Sequence, residues 1–282
     1  YKKSSFRIVL FLLEKIKWGE YVDATNFIFD GKSLSDFGFI ICEFNGETNT
    51  FTPSNITFTT LKVPDNDRRR FLSSYYDDVI SFEFSIAKYE SKKNNLPINS
   101  YEDRAMRKWL CREDGFHEFI IEQDDFYNIY YNAQINITPQ MVAGRIRGYK
   151  LTVTTDNVYG YTEPLETEFD ISSTSPYTFL ALSDRADYFY PIWEITPKQN
   201  GDLHLKVLED TNQTNAILKS VKANSKIIIN SENGIIEGIS PDNFNWQLPR
   251  IIQGYDETIN TITSTLPCHI KIKYRLARKA MC

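Results

Sequence analysis

The stretch VISFEFSIA, residues 79–87, decides the fold class of this chain. Apolar and polar side chains alternate along it, in the order Ile80, Ser81, Phe82, Glu83, Phe84, Ser85 and Ile86. Successive side chains of an extended strand point to opposite faces, so this alternation places the apolar side chains on one face only. The stretch therefore predicts a strand with one face in a core and the other in solvent.

Neighbouring segments favour strands as well. Residues 127–137 alternate with the same period of two, and residues 117–121 and 149–155 are rich in β-branched and aromatic side chains. The acidic pair at 124–125 separates the first two of these segments. Because short polar breaks of this kind connect the strands of a hairpin, we predict an antiparallel sheet.

One helix interrupts the strands. Ser100 is a suitable N-cap, Glu102 and Asp103 follow where the helix dipole favours acids, and Gly115 supplies a stop. The spacing predicts one apolar stripe that packs against the sheet, formed by Tyr101, Ala105, Met106, Trp109 and Leu110.

The second half of the chain again shows short strands separated by turns. Its last strand is the clearest, because Cys268, Ile270, Ile272 and Tyr274 alternate with polar residues. Several short strands in about 115 residues indicate an antiparallel β-sandwich. The other predicted strands cover residues 191–197, 202–209, 219–224, 225–230 and 233–239.

Length and composition limit the domain organisation. The chain has 282 residues, 14% of them aromatic, and this composition favours a folded, sheet-rich protein of about two domains. Periodicity lapses near Gly160 and Pro164. We therefore divide the chain into an N-terminal arm at 1–25, a first domain at 26–156, a linker at 157–167 and a second domain at 168–282.

Charge and motif content exclude several function classes. With 32 basic and 37 acidic residues the chain has a formal net charge of −5, which argues against general binding to polyanions. The apolar run at 6–13 is interrupted by Arg7 and too short to span a membrane. No nucleotide-binding or acyl-transfer motif is present, and the cysteine spacing fits reduced thiols. We expect no cofactor, no metal and no membrane insertion.

Residues that could support chemistry have ordinary structural interpretations. His117, His204 and His269 lie far apart in predicted strands, and the acids around Asp124 are typical of a solvated turn. The three arginines at 68–70 fall in an expected loop, where they are solvated, meet a phosphate, or meet an acidic neighbour on another subunit. Several tyrosines fit a core, a subunit interface or a sugar-binding surface: Tyr75, Tyr76, Tyr127, Tyr130, Tyr131, Tyr177, Tyr188 and Tyr190.

The stretch FIFDGKSLSDFGFII, residues 27–41, resembles the opening of the distal tail (Dit) proteins of long-tailed, non-contractile bacteriophages. It matches their F-D/N-G-x-x-S-x-D-F-G pattern with one residue fewer between the first Gly and the Ser. The matching residues are Phe29, Asp30, Gly31, Ser33, Asp36, Phe37 and Gly38, and the helix that ends near Trp109 follows in the family order.

The end of the chain, residues 245–279, also resembles this family. It is similar to the W-x-x-P-R-L-x-x-G-x-N ending and to the Y-R-x-x-R-K tail, although Tyr255-Asp256 and Leu276-Ala277 depart from the pattern. The residues that match are Trp246, Pro249, Arg250, Gly254, Tyr274 and Arg275.

The resemblance implies a mainly β structural protein without an active site. It implies an N-terminal belt domain, with a split-barrel-like β structure and one helix, followed by a C-terminal galectin-like antiparallel β-sandwich. Six belt domains would form a ring at the virion tail tip, which serves host attachment and is assembled in the host cytoplasm. The implied partners are other copies of the chain, the tail tube protein, the tail-associated hub protein and the tape-measure protein. Genomic DNA would pass through the lumen without specific binding.

The implied ring needs a subunit interface, and two alternative functions are also open. The strands at 75–86 and 126–137 are candidates for the buried ring surface. A carbohydrate-binding adhesin that uses Tyr188 and Tyr190 is the first alternative. A wall-degrading enzyme that uses the acids near Asp124 is the second.

Overall fold

A computed structural model describes residues 22, 24–43, 48–63, 67–89, 97–126, 128–212 and 215–279, with only the backbone of Asp125. Almost all of the proposed arm at 1–25 therefore lies outside the described residues. The chain forms two compact units, and the division falls between Gly160 and Tyr161. Within the described residues, no helix has the length and apolar character required to cross a bilayer.

The N-terminal unit contains ten strands, one α-helix and two short 3-10 turns within its described residues. The strands are β1 (Phe27–Phe29), β2 (Lys32–Ser33), β3 (Phe39–Cys42), β4 (Thr50–Thr52), β5 (Ile56–Lys62), β6 (Arg69–Tyr76), β7 (Ser81–Lys88), β8 (His117–Ile121), β9 (Tyr131–Val142) and β10 (Arg145–Thr155). The helix α1 spans Ser100–Leu110, and the 3-10 turns span Leu34–Phe37 and Asp124–Phe126.

Eight of these strands form one antiparallel sheet. Its order is β2-β1-β8-β9-β10-β7-β3, and β4 also pairs with β7. The predicted strand at 80–86 is confirmed, since Phe82, Phe84 and Ile86 are buried in the core of the unit. The strands β5 and β6 pair only with each other and form a separate two-stranded hairpin.

The predicted hairpin of residues 117–121 and 127–137 is confirmed with a shift in its second strand. β8 pairs with β9 antiparallel, and Phe119 lies opposite Tyr131. The second strand begins at Tyr131 and continues to Val142, because the turn through Asp124–Phe126 uses more residues than the alternation suggested. Tyr127 lies outside the described residues.

Helix α1 is present at the predicted place, but two details were wrong. Asn99, and not Ser100, is the N-cap, because its side chain accepts hydrogen bonds from the backbone amides of Tyr101 and Glu102. Tyr101 is 85% exposed and Ala105 is also exposed, so the stripe is narrower than predicted. The buried residues of the helix are Met106, Trp109 and Leu110.

Trp109 is the largest of these side chains, and aromatic rings surround it. Its ring stacks on Phe37 with centroids 4.3 Å apart and lies parallel to Phe27 at 5.7 Å. Burial of large aromatic side chains together with offset ring contacts contributes strongly to core stability. This cluster joins α1 to β1 and to the 3-10 turn at Leu34–Phe37.

The C-terminal unit is an antiparallel sandwich of short strands. They are β11 (Gly160–Tyr161), β12 (Leu165–Ile171), β13 (Tyr177–Ala181), β14 (Asp187–Phe189), β15 (Ile192–Pro197), β16 (Gly201–Val207), β17 (Ala216–Val221), β18 (Ile227–Asn230), β19 (Ile235–Glu237), β20 (Ile251–Gln253), β21 (Thr258–Ser264), β22 (Cys268–Tyr274) and β23 (Ala277–Arg278). A 3-10 turn spans Pro241–Asn243.

Two sheets enclose the core of this unit. One has the order β12-β22-β15-β18-β19 and the other β13-β21-β16-β17, while β14 pairs with β20 and β11 with β23. The alternation predicted for the last strand is confirmed, because Cys268, Ile270 and Ile272 are fully buried. Trp193 of β15 is fully buried in the same core. The split-barrel and galectin-like descriptions of the two units stay predictions.

The outer face of the five-stranded sheet is a network of opposite charges. Glu194 on β15 lies between two lysines, with its carboxylate 2.7 Å from Lys226 Nζ and 2.7 Å from Lys273 Nζ. Hydrogen bonds from Lys226 and then Lys273 lower the pKa of Glu194 to about 2. The ionised form of Glu194 is therefore stabilised by folding.

We expect Glu194→Gln to reduce the free energy of unfolding at pH 7 by about 1 kcal/mol, a value discounted for the exposure of Lys226. The pKa of Glu194 is lowered from 4.5, so its contribution is complete above about pH 4.5 and is lost as the pH falls toward 2. Urea unfolding at several pH values tests this. The control is Glu232→Gln, an exposed residue without an ion pair among the described residues. Equal pH dependence of wild type and E194Q would contradict the prediction.

We expect Trp109→Ala to reduce the free energy of unfolding of the N-terminal unit by about 3–5 kcal/mol, because it leaves a cavity beneath α1. The matched control is Trp246→Ala, which removes an indole that is 55% exposed and which we expect to cost less than about 1 kcal/mol. Thermal unfolding followed by near-ultraviolet circular dichroism compares the two variants. Similar losses in both would show that Trp109 does not hold the cluster together.

Candidate functional site

The first group of predicted site residues forms a tight turn at the edge of the large sheet. Phe29 and Lys32 pair across β1 and β2, and Asp30 and Gly31 lie between them with φ angles of 50° and 70°. A two-residue hairpin turn of this hand needs positive φ at both central positions, and Asp-Gly is among the sequences that tolerate it best. The backbone geometry of this turn therefore explains why an aspartate and a glycine occupy positions 30 and 31.

The next residues of the motif form a capped 3-10 turn. Ser33 is the N-cap, and its backbone amide donates to the Asp36 carboxylate at 3.2 Å. Gly38 ends the turn with a φ of 73°, in the left-handed conformation that glycine adopts without strain. This part of the motif therefore directs the chain from β2 into β3.

Trp109 connects this turn to the helix. Its indole Nε1 donates to the carbonyl oxygen of Phe29 at 2.9 Å, inside the core. The stack of Phe37 on the same indole adds a second link between the motif and α1. The structure thus brings the N-terminal motif residues and Trp109 together in one packing cluster.

A charged cluster beside this turn was missed by sequence reasoning. The Arg112 guanidinium lies 2.8 Å from the Asp30 carboxylate and 2.7 Å from that of Asp114, and His117 lies 3.0 Å from Asp114. Hydrogen bonds from Arg112 and then His117 lower the pKa of Asp114. The short spacing of Arg112 and Asp114 was the only sequence signal for it. His117 is in a strand, as predicted, and these ion pairs support the turn.

The second group of site residues lies in the C-terminal unit. Pro249 is buried, and its carbonyl oxygen accepts a hydrogen bond from the indole of Trp193 at 3.1 Å. Trp246 is mostly exposed and has a φ of 58°. A β-carbon at Gly254 would lie 2.7 Å from the Thr258 hydroxyl oxygen, so glycine fits the space there.

Arg250 forms the strongest polar contact of this group. Its guanidinium makes two hydrogen bonds to the Asp210 carboxylate, at 2.6 and 3.1 Å, and Asp210 is only 4% exposed. The Asp210 hydrogen bonds raise the pKa of Arg250. A buried carboxylate requires such a partner, so the pair fixes the chain before β20.

Tyr188 is engaged by the same arginine. The guanidinium carbon of Arg250 lies 3.6 Å from the centre of the Tyr188 ring, and Asn212 donates to the Tyr188 hydroxyl at 3.2 Å. Tyr190 is 41% exposed. One ring face of Tyr188 is therefore not available for stacking on a sugar.

The last two site residues lie at the end of β22. The Tyr274 hydroxyl is 3.2 Å from that of Thr167, and its ring packs edge-on against Phe179 with centroids 5.2 Å apart. Arg275 follows the strand and is half-buried. Tyr274 therefore packs within its own unit.

The predicted candidates for chemistry occupy ordinary structural positions within the described residues. The three histidines lie on β8, β16 and β22, as predicted for ordinary strand residues. Glu122 accepts a hydrogen bond from the Asn26 side chain at 2.7 Å. Across the ranges that the structure describes, no group of three His, Cys, Asp or Glu side chains could hold a metal ion. Cys42, Cys111 and Cys268 form no disulfide within those ranges, and Cys282 lies outside them.

The aromatic strands at 75–86 and 126–137, predicted as candidates for the buried ring surface, are largely core, although Tyr75 is 54% exposed on β6. Phe82, Phe84, Phe126 and Tyr131 are almost completely buried inside the N-terminal unit, so they cannot contact another subunit. Their alternation indicates that one face is covered. The sequence alone does not distinguish a face covered by the core from a face covered by another subunit.

The exposed apolar side chains of the N-terminal unit concentrate instead on the β5–β6 hairpin. Phe58 is 62% exposed and Phe71 is 58% exposed, and their rings lie on one face with centroids 6.1 Å apart. A register shift between Thr59 and Thr60 marks a β-bulge. The other exposed apolar residues of this segment are Ile56, Leu61, Val63, Leu72 and Tyr75.

The same hairpin contains the arginine run. Arg69 and Arg70 lie in β6, opposite Lys62 and Leu61, so the prediction of a loop at 68–70 was wrong for these two. The backbone of both arginines is extended because each is paired with a residue of β5. The end of the hairpin away from β4 and β7, with Lys62, Arg69 and Arg70, is therefore cationic. We call it the far end. The rest of the hairpin has exposed apolar side chains.

The comparisons with known proteins agree with this architecture. The chain matches a family model described as a phage tail protein N-terminal domain over residues 22–157 and one described as a phage tail C-terminal domain over 159–274. No curated protein matches the chain.

Two solved structures are similar to the whole fold. The Dit protein (gp 19.1) of phage SPP1, whose title calls it a paradigm of the hub adsorption apparatus in phages that infect Gram-positive bacteria, has a TM-score of 0.60 and 11% identity. That match covers 90% of this chain and all of the SPP1 chain. The baseplate of phage p2 in its activated conformation with Sr gives a TM-score of 0.47 and 10% identity, over 88% of this chain and 97% of the other.

The two family-model matches and the similarity to the SPP1 protein confirm the predicted resemblance. A phage tail protein is a structural component of the virion, which agrees with motif residues that serve packing and turns. The chain belongs to the family of phage tail proteins built from these N-terminal and C-terminal domains, and it has the fold of a distal tail protein.

Proposed function

We propose that this protein forms a homohexameric ring at the tail tip of a long-tailed, non-contractile phage. The ring connects the last ring of the tail tube protein to the tail-associated hub protein and surrounds the end of the tape-measure protein. It continues the channel through which genomic DNA leaves the virion and has no catalytic activity. Assembly takes place in the host cytoplasm.

The main structural observation that supports this proposal is the exposed β5–β6 hairpin. A two-stranded sheet on its own is marginally stable in water, and contiguous exposed apolar side chains mark interaction surfaces. Both outer edges of this hairpin lack a strand partner within the described residues. Packing against another subunit would cover the apolar side chains and satisfy the edges.

A ring of identical copies fits this requirement. A closed ring uses one heterologous contact repeated around the axis, so a protruding element on one side must meet a complementary surface on the other. A permanent contact of this type buries on the order of 2,000 Å² or more. The hairpin is the protruding element, and the large sheet offers the receiving surface.

The similarity to the SPP1 protein supports the role of the ring. That protein is described as part of a hub adsorption apparatus, and the present chain shares its fold over nearly its full length. The formal charge of −5 also suits a channel in which DNA moves without being held.

We expect Phe58→Ser combined with Phe71→Ser to abolish ring formation and leave the fold intact, because both side chains are exposed in the monomer. Negative-stain electron microscopy of the purified protein, alone and with its hub protein, counts rings. Circular dichroism checks the fold. The control combines Leu180→Ser with Ile259→Ser, which removes two exposed apolar side chains from the C-terminal unit. Rings of normal abundance in F58S/F71S would overturn the assignment of the hairpin as the ring interface.

A further inference from the structure

The far end of the β5–β6 hairpin has cations that the described residues do not neutralise. Lys62 lies directly opposite Arg69 on the paired strand, and like charges at such positions repel each other. Neither these two residues nor Arg70 forms an ion pair within the described residues, and all three are exposed. The isolated unit thus has an unfavourable charge arrangement at this end.

The charge of the hairpin is opposite to that of the rest of the chain. Residues 56–76 contain four cationic and two anionic side chains, a surplus of two positive charges in a chain at −5. The remaining residues therefore hold a net −7. A hairpin of this charge is complementary to the body of another copy of the same chain.

One acidic site lies where a neighbouring hairpin could reach it. Glu122 and Asp124 follow β8, are exposed, and form no ion pair within the described part of the chain. The Glu122 carboxylate accepts a hydrogen bond from the Asn26 side-chain amide and has no cationic partner there. The turn after β8 therefore carries two negative charges without a cationic partner among the described residues. We call Glu122 and Asp124 the acidic end.

The sheet topology places this acidic end on the opposite flank from the hairpin. β8 and β10 are both antiparallel to β9, so they end at the same end of the sheet, where β7 begins. The hairpin leaves from this end on the β7 flank, whereas Glu122 and Asp124 lie on the β8 flank. Three strand spacings, roughly 14 Å, separate the flanks, and a seven-residue strand extends for about 23 Å.

We propose that the cationic end of the β5–β6 hairpin of one copy binds the acidic end at Glu122 and Asp124 of the next copy, head to tail around the ring. This inference rests on the proposed function, since it assumes self-assembly. Residues Lys62, Arg69 and Arg70 supply the positive side of the contact. The apolar length of the hairpin packs against the same neighbour and excludes water from the ion pairs.

The contact also explains how an arginine-rich element is compatible with a DNA channel. Free arginines in the lumen would bind DNA phosphates independently of sequence and slow its passage. Carboxylates of the next copy neutralise them, so the cations serve ring closure and are not available to DNA. We therefore expect these cations to bind an acidic neighbour in preference to nucleic acid.

A charge-swap experiment tests the contact. Arg69→Glu with Arg70→Glu places acids against acids and should weaken self-association by roughly tenfold or more, measured by analytical ultracentrifugation at low salt. Glu122→Lys with Asp124→Lys should weaken it similarly. The chain that combines all four changes should associate within about threefold of wild type, because opposite charges meet again.

The matched control is Lys219→Glu with Lys222→Glu, which makes the same change in net charge at exposed positions of the C-terminal unit. It should associate like wild type. Rings in wild type together with no recovery in the four-residue swap would overturn this contact and leave the proposed function standing. Wild-type protein that stays monomeric, alone and with its hub protein, would overturn both. Tighter binding of wild type than of R69E/R70E to a 30-base-pair duplex, with unchanged self-association, would assign the cations to DNA.

Discussion

Trp109 holds the N-terminal unit together through contacts that no other residue could replace in the same way. Its indole nitrogen donates to the Phe29 carbonyl, and its ring lies between the aromatic side chains of β1 and of the turn that follows β2. The helix can cover the sheet only because this large side chain fills the space between them. The tight Asp30-Gly31 turn is required for the same reason, since it presents the Phe29 carbonyl and Phe37 to the indole.

The hairpin of β5 and β6 differs from this buried cluster, because its apolar side chains are exposed. It has no layer above it in the described unit, and its aromatic and aliphatic side chains are exposed. The fold buries Phe82 and Tyr131 completely yet leaves Phe58 and Phe71 exposed. The side chains that stabilise the unit are therefore different from those on the surface that we propose as an interface.

Charge is distributed according to the same division. On the sandwich, opposite charges are paired across neighbouring strands, and Glu194 between two lysines is an example that needs no partner. On the hairpin Lys62, Arg69 and Arg70, and after β8 Glu122 and Asp124, form no ion pair within the described residues. These are the charges that we propose to meet between copies, because complementary charges select which surfaces associate.

Much of the fold follows from local pattern. Alternation in residues 80–86 and 268–274 and the acid-rich start of α1 depend only on residues close in sequence, so the strands, the helix and the antiparallel class were predictable. The turns at residues 29–38 were predictable, because a positive φ angle favours only a few residue types at its own position. The family was identifiable for the same reason.

Other features depended on residues far apart in the chain. Asn99 is the helix cap, Tyr101 is in solvent, and Arg112 and Trp193 contact the two motifs. The only local signal among these was the short spacing of Arg112 and Asp114. The aromatic side chains at 82–84 and 126–131 were predicted as candidates for a ring surface and are part of the core. A period of two indicates that one face is covered and not what covers it. The sequence by itself determined two β-rich units with characteristic turns. Only the tertiary structure decided which apolar faces are core and which are exposed, because burial depends on contacts between distant segments.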